Sequence, residues 1–421
     1  MWEGSGKIAI AGIGHSPTYR RWDERAETSL GAMAMDAVQA ALDDCGLEAD
    51  EVDGVVSASG PLSGYWGPRP VLAAVKAAFQ QTPGDAEDGI SKVTAEWLAR
   101  NLGLSALQVA DNTAEMIGSV LNHAIELVVS GRCKAVVVLR PLNNFAGRYG
   151  HYGANAAAEA SGTGQFTTAY GHSGFVSTMA TFFARYLWTY GKTHADLADL
   201  ALIEHANGLL CDYGYFAQHA PEELTREQYL AGRWIAEPIN IYDCDLPMQV
   251  AGAFVVTTAE LARDLRQHPV YVRGITGGPR ARGRRASMYA LEDAQAADTA
   301  LANRLWQSAG IGPLEVDFAN LYDAPLVLVP HLIETFGFCK PGEALEFCNP
   351  EQIGIGGVLP INPWGGNVGA GRSHGIDHIY EAVLQLRGQA RVRQIRGASV
   401  GVVHVGPPVN GAVQLLGVDA G

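Results

Sequence analysis

No stretch of this chain is apolar for long enough to cross a bilayer. The strongest candidate, residues 325–336, is interrupted by Pro330, His331 and Glu334. The N-terminus lacks a basic segment followed by an apolar run, so a secretory leader is not expected. Six cysteines, at positions 45, 133, 211, 244, 339 and 348, are scattered without the spacing of a metal cage. That points to reduced thiols in the cytoplasm, and away from a bound metal or a disulfide scaffold. Positive charge is also scarce. Thirty Lys and Arg against 44 Asp and Glu leave a formal net charge of −14, which argues against nucleic acid as a partner. A dinucleotide fingerprint is incomplete. Gly12-Ile13-Gly14 follows a strand-like run, Lys7 to Ala11, but Pro17 stands where a third glycine belongs and no helix follows directly.

What remains is an ordinary globular composition, 48% hydrophobic and 18% charged. The 421 residues are enough for two large cores or one duplicated domain. Fifty glycines imply many tight turns and close backbone approaches.

One short phrase occurs twice. Gly46-Leu47 is followed by Glu51-Val52-Asp53, and Gly310-Ile311 by Glu315-Val316-Asp317, an offset of 264 residues. A helical run precedes each copy (Leu30 to Asp44; Ala296 to Ala309) and an apolar strand-like run follows each (Gly54 to Ala58; Phe318 to Tyr322). A second echo pairs a helix at Val120 to Ser130, Gly131 and a strand at Ala135 to Leu139 with Ile379 to Leu386, Gly388 and Ser399 to Val403. A period this long is not that of a solenoid. It predicts two related α/β halves packed as one body, residues 1–265 and 266–421, with the site where they meet. Strands are also predicted at Val109 to Asn112, Phe254 to Thr258, Val270 to Ile275 and Ala412 to Leu416.

Residues from about 140 to 240 have no counterpart in the second half. They are rich in Gly, Ala, Tyr and His and carry one strong helical run, Ser177 to Tyr190. They read as an insertion, and long insertions on α/β scaffolds often carry binding functions.

The duplication, the insertion and the run Arg233-Trp234-Ile235-Ala236-Glu237-Pro238 resemble the thiolase superfamily. Leu321-Tyr322-Asp323, Leu359-Pro360-Ile361-Asn362-Pro363-Trp364-Gly365-Gly366 and Gln385-Leu386-Arg387-Gly388 resemble its sterol-carrier and lipid-transfer branch. The resemblance covers nearly the whole chain. It implies a duplicated, five-layered α-β-α-β-α fold, a homodimer, and a substrate presented as a coenzyme A thioester, with no separately bound cofactor.

The departures from the family pattern narrow the chemistry. Thiolases carry a nucleophilic cysteine at the start of a buried helix, where the helix end steadies the thiolate. The matching window here, residues 112–119, holds no cysteine, and Ser119 has no activating neighbour in sequence. Arg372 stands where active thiolases have a histidine, with His374 two residues on. Tyr322 replaces a histidine or asparagine, and Pro407-Pro408 replaces the glycine-rich cysteine loop near His404. An acyl-cysteine route is therefore not expected.

Some branch members without the cysteine are retro-aldol lyases that cleave β-hydroxyacyl-CoA side chains, notably of steroids, alongside a small zinc-ribbon/OB-fold subunit. The resemblance implies the same chemistry here, which needs donors aimed at a thioester enolate and an acid to protonate it. The alternatives are a non-catalytic lipid-CoA binding, transfer or partner protein, and acyl transfer without cysteine. Tyr322, Arg372, His374 and His404 are the candidate catalytic residues. Tyr322 would act as acid or base beside a cation such as Arg372, or simply fill the core as a strand-end aromatic. The lyases carry a second tyrosine at the position of Arg372, which here would hold the thioester oxygen or a carboxylate. Tyr170 and His172 are candidates to cover the acyl pocket. Asn362, Trp364, Gly365 and Gly366 are candidates for a backbone cradle near the thioester, although sharp turns alone would also explain them. Arg280, Arg282, Arg284 and Arg285 form the one dense basic run and are candidates for the phosphates of coenzyme A.

Overall fold

The structure, a computed structural model, describes residues 2–23, 25–59, 89–90, 92–144, 165–172, 174–277 and 290–421. In the first half, β1 (Ile8–His15) leads to α1 (Leu30–Cys45) and β2 (Gly54–Ser57). There follow α2 (Ala95–Leu102), β3 (Val109–Asn112), α3 (Ile117–Val129) and β4 (Ala135–Leu142). The inserted stretch contributes α4 (Gly174–Tyr190), α5 (Ala198–Leu209) and a small hairpin, β5 (Trp234–Ala236) with β6 (Ile239–Asn240). After β7 (Val250–Thr258), the second half runs through β8 (Val270–Thr276), α6 (Leu291–Ala309), β9 (Phe318–Asn320) and α7 (Leu328–Thr335). It closes with α8 (Gly366–Ala370), α9 (Ile376–Leu386), β10 (Val400–Val405) and β11 (Ala412–Gly417).

The larger strands form one mixed sheet, in the order β3-β2-β4-β7-β1-β8-β11-β10-β9. The halves join where β1 meets β8 in antiparallel register, Ala9 opposite Tyr271 and Ile10 opposite Val270. Helices α3 and α9 each pack against strands of both halves, so the sheet encloses them; α1 and α2 cover the outer face of the first half, and α6 that of the second. The layers therefore run α-β-α-β-α, as the resemblance implies.

Residue alternation follows from this layering. On β4, Ala135, Val137 and Leu139 face α1, while Val136 and Val138 join the cluster around α3. A strand covered on both faces reads as a continuous apolar run because neither side meets water.

The repeated phrase has one physical reason in both places. The Asp53 carboxylate accepts from the backbone N–H groups of Lys134 and Ala135, at the start of β4. The Asp317 carboxylate accepts from those of Ser399 and Val400, at the start of β10. Each aspartate thus ties one parallel neighbour to the next, β2 to β4 and β9 to β10. The glycines before each phrase cap α1 and α6 in left-handed conformation, with φ of 75° at Gly46 and 73° at Gly310.

Several boundaries differ from expectation. The first strand continues to His15, so Gly12 and Gly14 lie inside β1 rather than in a phosphate-binding turn. A Cβ added at Gly12 would sit 2.1 Å from the Ala41 carbonyl oxygen, and one at Gly14 would sit 1.9 Å from that of Ala37. These glycines exist because α1 lies directly on the strand. The strand expected at Phe318 to Tyr322 ends at Asn320, leaving Leu321 and Tyr322 free to turn into the interior. The helix expected from Ser177 begins at Gly174. Among the described residues no helix is long and apolar enough to cross a membrane.

Gly14→Ala should force α1 off β1. We expect a stability loss of about 1–3 kcal/mol or more, read as a lower urea midpoint. An unchanged midpoint would refute the close-approach explanation.

Candidate active site

Beyond Asn320 the chain leaves the sheet, and the segment 360–362 runs beside it. Ala319 N–H donates to the Pro360 carbonyl and Asn362 N–H to that of Ala319, both at 3.0 Å. The Asn362 side chain then clamps the departing chain. Its Oδ1 accepts from Leu321 N–H at 2.8 Å, and its Nδ2 donates to the Leu321 carbonyl at 2.9 Å and to Glu204 Oε1 at 2.7 Å. Asn362 adopts φ 45° to do this.

The next residues point inward. Asp323 is fully buried and accepts from Asn367 Nδ2 at 2.9 Å and Val368 N–H at 2.8 Å. His378 Nε2 lies 3.3 Å from its Oδ1. Glu204, from the inserted helix α5, brings a second carboxyl against it. Burial and then the charge of Asp323 raise the Glu204 pKa well above the usual glutamate range, so this carboxyl stays protonated at neutral pH. Both carboxyls converge on Gly366, where an added Cβ would lie 2.3 Å from Asp323 Oδ2 and 2.9 Å from Glu204 Oε2.

Tyr322 sits above this layer, 3% exposed. Its ring centroid lies 6.0 Å from that of His374 and 5.7 Å from that of His378. His374 occupies a turn with φ 57°, flanked by Gly371 and Gly375 at φ 110° and 101°. A Cβ at Gly375 would meet Val405 at 2.4 Å and Ile117 at 2.8 Å, so the turn rests on the start of α3. Arg372 donates its backbone N–H to Leu246, and its Nε lies 3.1 Å from Asp245 Oδ2. Arg140, at the far end of β4, is completely buried and reaches the same turn. Its Nη2 donates to His374 Nδ1, and its Nη1 lies 3.4 Å from the Glu115 carbonyl oxygen.

The electrostatics follow from burial and two guanidiniums. Burial lowers the His374 pKa well below its usual value, and Arg372 and Arg140 push it further the same way, so the ring is neutral. Burial raises the Tyr322 pKa above the ordinary phenol value, and the two arginines offset only part of that. Of the two roles open to Tyr322, acid or base, burial favours the acid, since the phenol keeps its proton at neutral pH. Burial and Arg372 bring Arg140 down to about 9.

The other candidates are placed differently. His404 lies inside β10, fully buried, with neither ring nitrogen partnered; burial lowers its pKa to about 4. Its ring packs edge-on against Phe336 rather than against Tyr322. Trp364 is fully buried and packs edge-on against His378 at 5.0 Å. Gly365 gives α5 room, since a Cβ there would lie 2.4 Å from Gly208. The close pass of α5 at Gly365, the two carboxyls at Gly366, and φ of 98° and 65° each require glycine here. Tyr170 is 84% exposed on the insertion, and His172 Nε2 lies 3.5 Å from Thr178 Oγ1. Arg280, Arg282, Arg284 and Arg285 lie outside the described residues.

All six cysteines are free, and burial raises every one of their pKa values, Cys133 to about 11 and Cys339 to about 12. None is an activated thiolate. Among the described residues no group of three or more His, Cys, Asp or Glu could hold a metal ion. A surface groove of about 370 Å³ near Tyr213, Tyr380 and Arg393 shares no residue with the Tyr322 cluster.

Arg140, Asp245, Glu204 and His378 were not singled out from sequence. Arg140 had a usable signal, a charge ending an unbroken apolar run.

Several known proteins are similar to this chain. A family model described as thiolase C-terminal domain-like matches residues 283–412. The 17-hydroxy-3-oxo-4-pregnene-20-carboxyl-CoA lyase of Mycobacterium tuberculosis is 30% identical over 98% of this chain and 100% of its own length. A steroid side-chain-cleaving aldolase of Thermomonospora curvata is 29% identical over 98% of both chains. Among solved structures, an Ltp2-ChsH2(DUF35) aldolase superposes with a TM-score of 0.78 at 27% identity, covering 98% of both chains. A monomeric SCP2-thiolase like protein type 1 from Mycobacterium smegmatis shares the fold, with a TM-score of 0.63 at 18% identity over 100% of this chain and 78% of its own.

The protonated Glu204 carries a pH signature. Its folded-state pKa lies above the unfolded value, so the native state holds the proton more tightly. Stability then declines as pH rises from the unfolded range, about 4.3, toward the folded value. Glu204→Gln removes that decline. The variant should match the parent protein near pH 4 and exceed its urea midpoint at pH 8. Equal differences at both pH values would mean that Glu204 ionises freely.

Proposed function

The chain belongs to the steroid side-chain aldolase branch of the thiolase superfamily, and from that membership we propose that it cleaves the carbon–carbon bond of a β-hydroxyacyl-CoA thioester bearing a bulky, steroid-like acyl chain. It is an enzyme acting on acyl-CoA thioesters, and its route is retro-aldol, without a covalent intermediate. The observation that carries this reading is the convergence of Tyr322, His374, Arg372 and Arg140 in one buried cluster while every thiol is held protonated.

In the proposed reaction the β-hydroxyl loses its proton and becomes a carbonyl as the Cα–Cβ bond breaks. The electron pair passes to the thioester as an enolate, which takes a proton at Cα to leave a shortened acyl-CoA and a ketone or aldehyde. Arg372 and the Nε2–H of His374 hold the enolate oxygen, since preset donors at a developing charge lower the barrier most. Tyr322, protonated at rest, supplies the Cα proton. Asp245, the carboxylate beside Arg372 Nε, accepts the hydroxyl proton. His404 is given no chemical role.

The remaining assignments extend the same proposal. Arg280, Arg282, Arg284 and Arg285 bind the phosphates of coenzyme A, and Tyr170 and His172 line the approach of the acyl chain. The halves divide at residues 265 and 266, a division supported by the matching contacts of Asp53 and Asp317. We also extend to this chain a homodimer and a small zinc-ribbon/OB-fold partner of the kind that the compound name Ltp2-ChsH2(DUF35) suggests. The monomeric relative is the counter-case, and light scattering with and without such a partner decides between them.

Incubation with polycyclic and branched β-hydroxyacyl-CoA esters, alone and with the partner, should release a ketone or aldehyde. Tyr322→Phe should lower kcat by about 10²-fold or more while acyl-CoA affinity is kept. Asp245→Asn should abolish cleavage yet leave exchange of the product's α-proton with D2O, a step that Tyr322→Phe should suppress. Tight acyl-CoA binding with no turnover across the panel would return the chain to the non-catalytic reading.

A further inference from the structure

A charged residue inside a sheet strand needs a reason. β4 reads Ala-Val-Val-Val-Leu-Arg-Pro-Leu, and all eight residues are buried. Arg140 is 0% exposed, and its guanidinium crosses from the first half to the second to meet a side chain 234 residues away. We infer that Arg140 is a positioning residue of the reaction centre, fixing His374 as the Nε2–H tautomer so that this ring donates to the thioester oxygen; the inference rests on the retro-aldol reading above.

The argument is one of hydrogen-bond capacity. A guanidinium has five N–H donors and no acceptor. The nitrogen that meets Arg140 Nη2 is His374 Nδ1, and it can take part only through its lone pair. The single proton of the neutral ring must then sit on Nε2. Burial and Arg372 bring the guanidinium down only to about 9, so it stays a protonated donor at neutral pH.

The rest of the turn prevents His374 from escaping this contact. Its backbone N–H donates to Asn367 Oδ1 at 3.2 Å, and Gly375 wedges between Val405 and Ile117 with no room for a Cβ. Arg140 is itself held by the Glu115 carbonyl at the foot of α3. The ring is thus fixed in position by the second half and in protonation by the first. Arg140 also places a second cation beside Arg372. Two like charges in one buried cluster disfavour each other, and an enolate forming between them relieves that repulsion in the transition state.

The test reads the tautomer directly. The full-length protein, labelled with 15N-histidine, is examined by long-range 1H–15N correlation, with the His374 signals identified by their loss in His374→Gln. The expected result is His374 protonated at Nε2 in the unsubstituted protein, and a shift toward the Nδ1–H form in Arg140→Met. Turnover of a polycyclic β-hydroxyacyl-CoA by Arg140→Met should fall about 10²-fold in kcat with KM changed by only a few-fold. Added methylguanidine should restore both tautomer and turnover, and Arg140→Lys should keep the tautomer.

An Nδ1–H ring in the unsubstituted protein overturns the inference whether or not any variant folds. An unchanged tautomer in Arg140→Met, or a changed tautomer with unchanged kcat, overturns it too. If the tautomer follows Arg140 but no β-hydroxyacyl-CoA is cleaved by any form, the retro-aldol reading fails and the positioning role fails with it, leaving only the contact.

Discussion

The Asp323 carboxylate is the constraint on which the site depends. It receives the amide of Val368, the side chain of Asn367 and the Nε2 side of His378, and it lies against the protonated Glu204. Those partners come from α8, from α9 and from the inserted helix α5. A buried carboxylate left without such partners would cost several kcal/mol, so each partner element is held to the position that satisfies it. Tyr322 is the residue immediately before Asp323. Its ring is therefore aimed by a network in which it takes no part, and the network is closed off from water by the enclosing sheet.

The stretch between β4 and β7 also helps to build the site. Through Glu204 and Gly208 it sits directly on the loop that follows Asn362. A glycine-to-glycine crossing lets α5 and α8 approach until backbone meets backbone, and only then can Glu204 reach both Asn362 and Asp323. Tight approach and buried charge are coupled here. Either glycine replaced would separate the carboxyls that share the space above Gly366.

The fold was legible because its signals are local. Helix caps, alternating runs and the repeated aspartate each lie within a few residues of what they determine, and Asp53 and Asp317 recur because they perform the same task in each half. Tyr322, Arg372 and His374 were legible because they stand in motifs that a related family keeps. Arg140, Glu204 and His378 were not, because their roles are set by partners that the chain brings from far away in sequence. Gly365 and Gly366 show the same limit from the other side. A glycine announces close approach but not what approaches, and within the chain the neighbours are Gly208 and Asp323. His404 drew notice because it stands near a loop that is catalytic in the related family; in the fold it is a buried neutral ring packed against Phe336.

The lost cysteine is best understood through the charge that replaced it. A thiolate nucleophile needs a helix start that is electropositive and open to an acyl group. Here the start of α3 is occupied differently: Ile117 packs against Gly375, and the Glu115 carbonyl holds Arg140. On the proposed reading, positive charge at the site comes instead from two guanidiniums near His374, that of Arg140 at its Nδ1 and that of Arg372 beside Asp245. An acyl-cysteine route neutralises its anion by forming a bond, whereas a retro-aldol route carries its anion on the substrate until a proton arrives. The second needs fixed cations and a neutral acid in a dry site, and burial leaves His374 and Tyr322 neutral beside the guanidiniums of Arg140 and Arg372. On the proposed reading the thiolase fold serves unchanged, and the protein contributes waiting donors in place of an attacking thiolate.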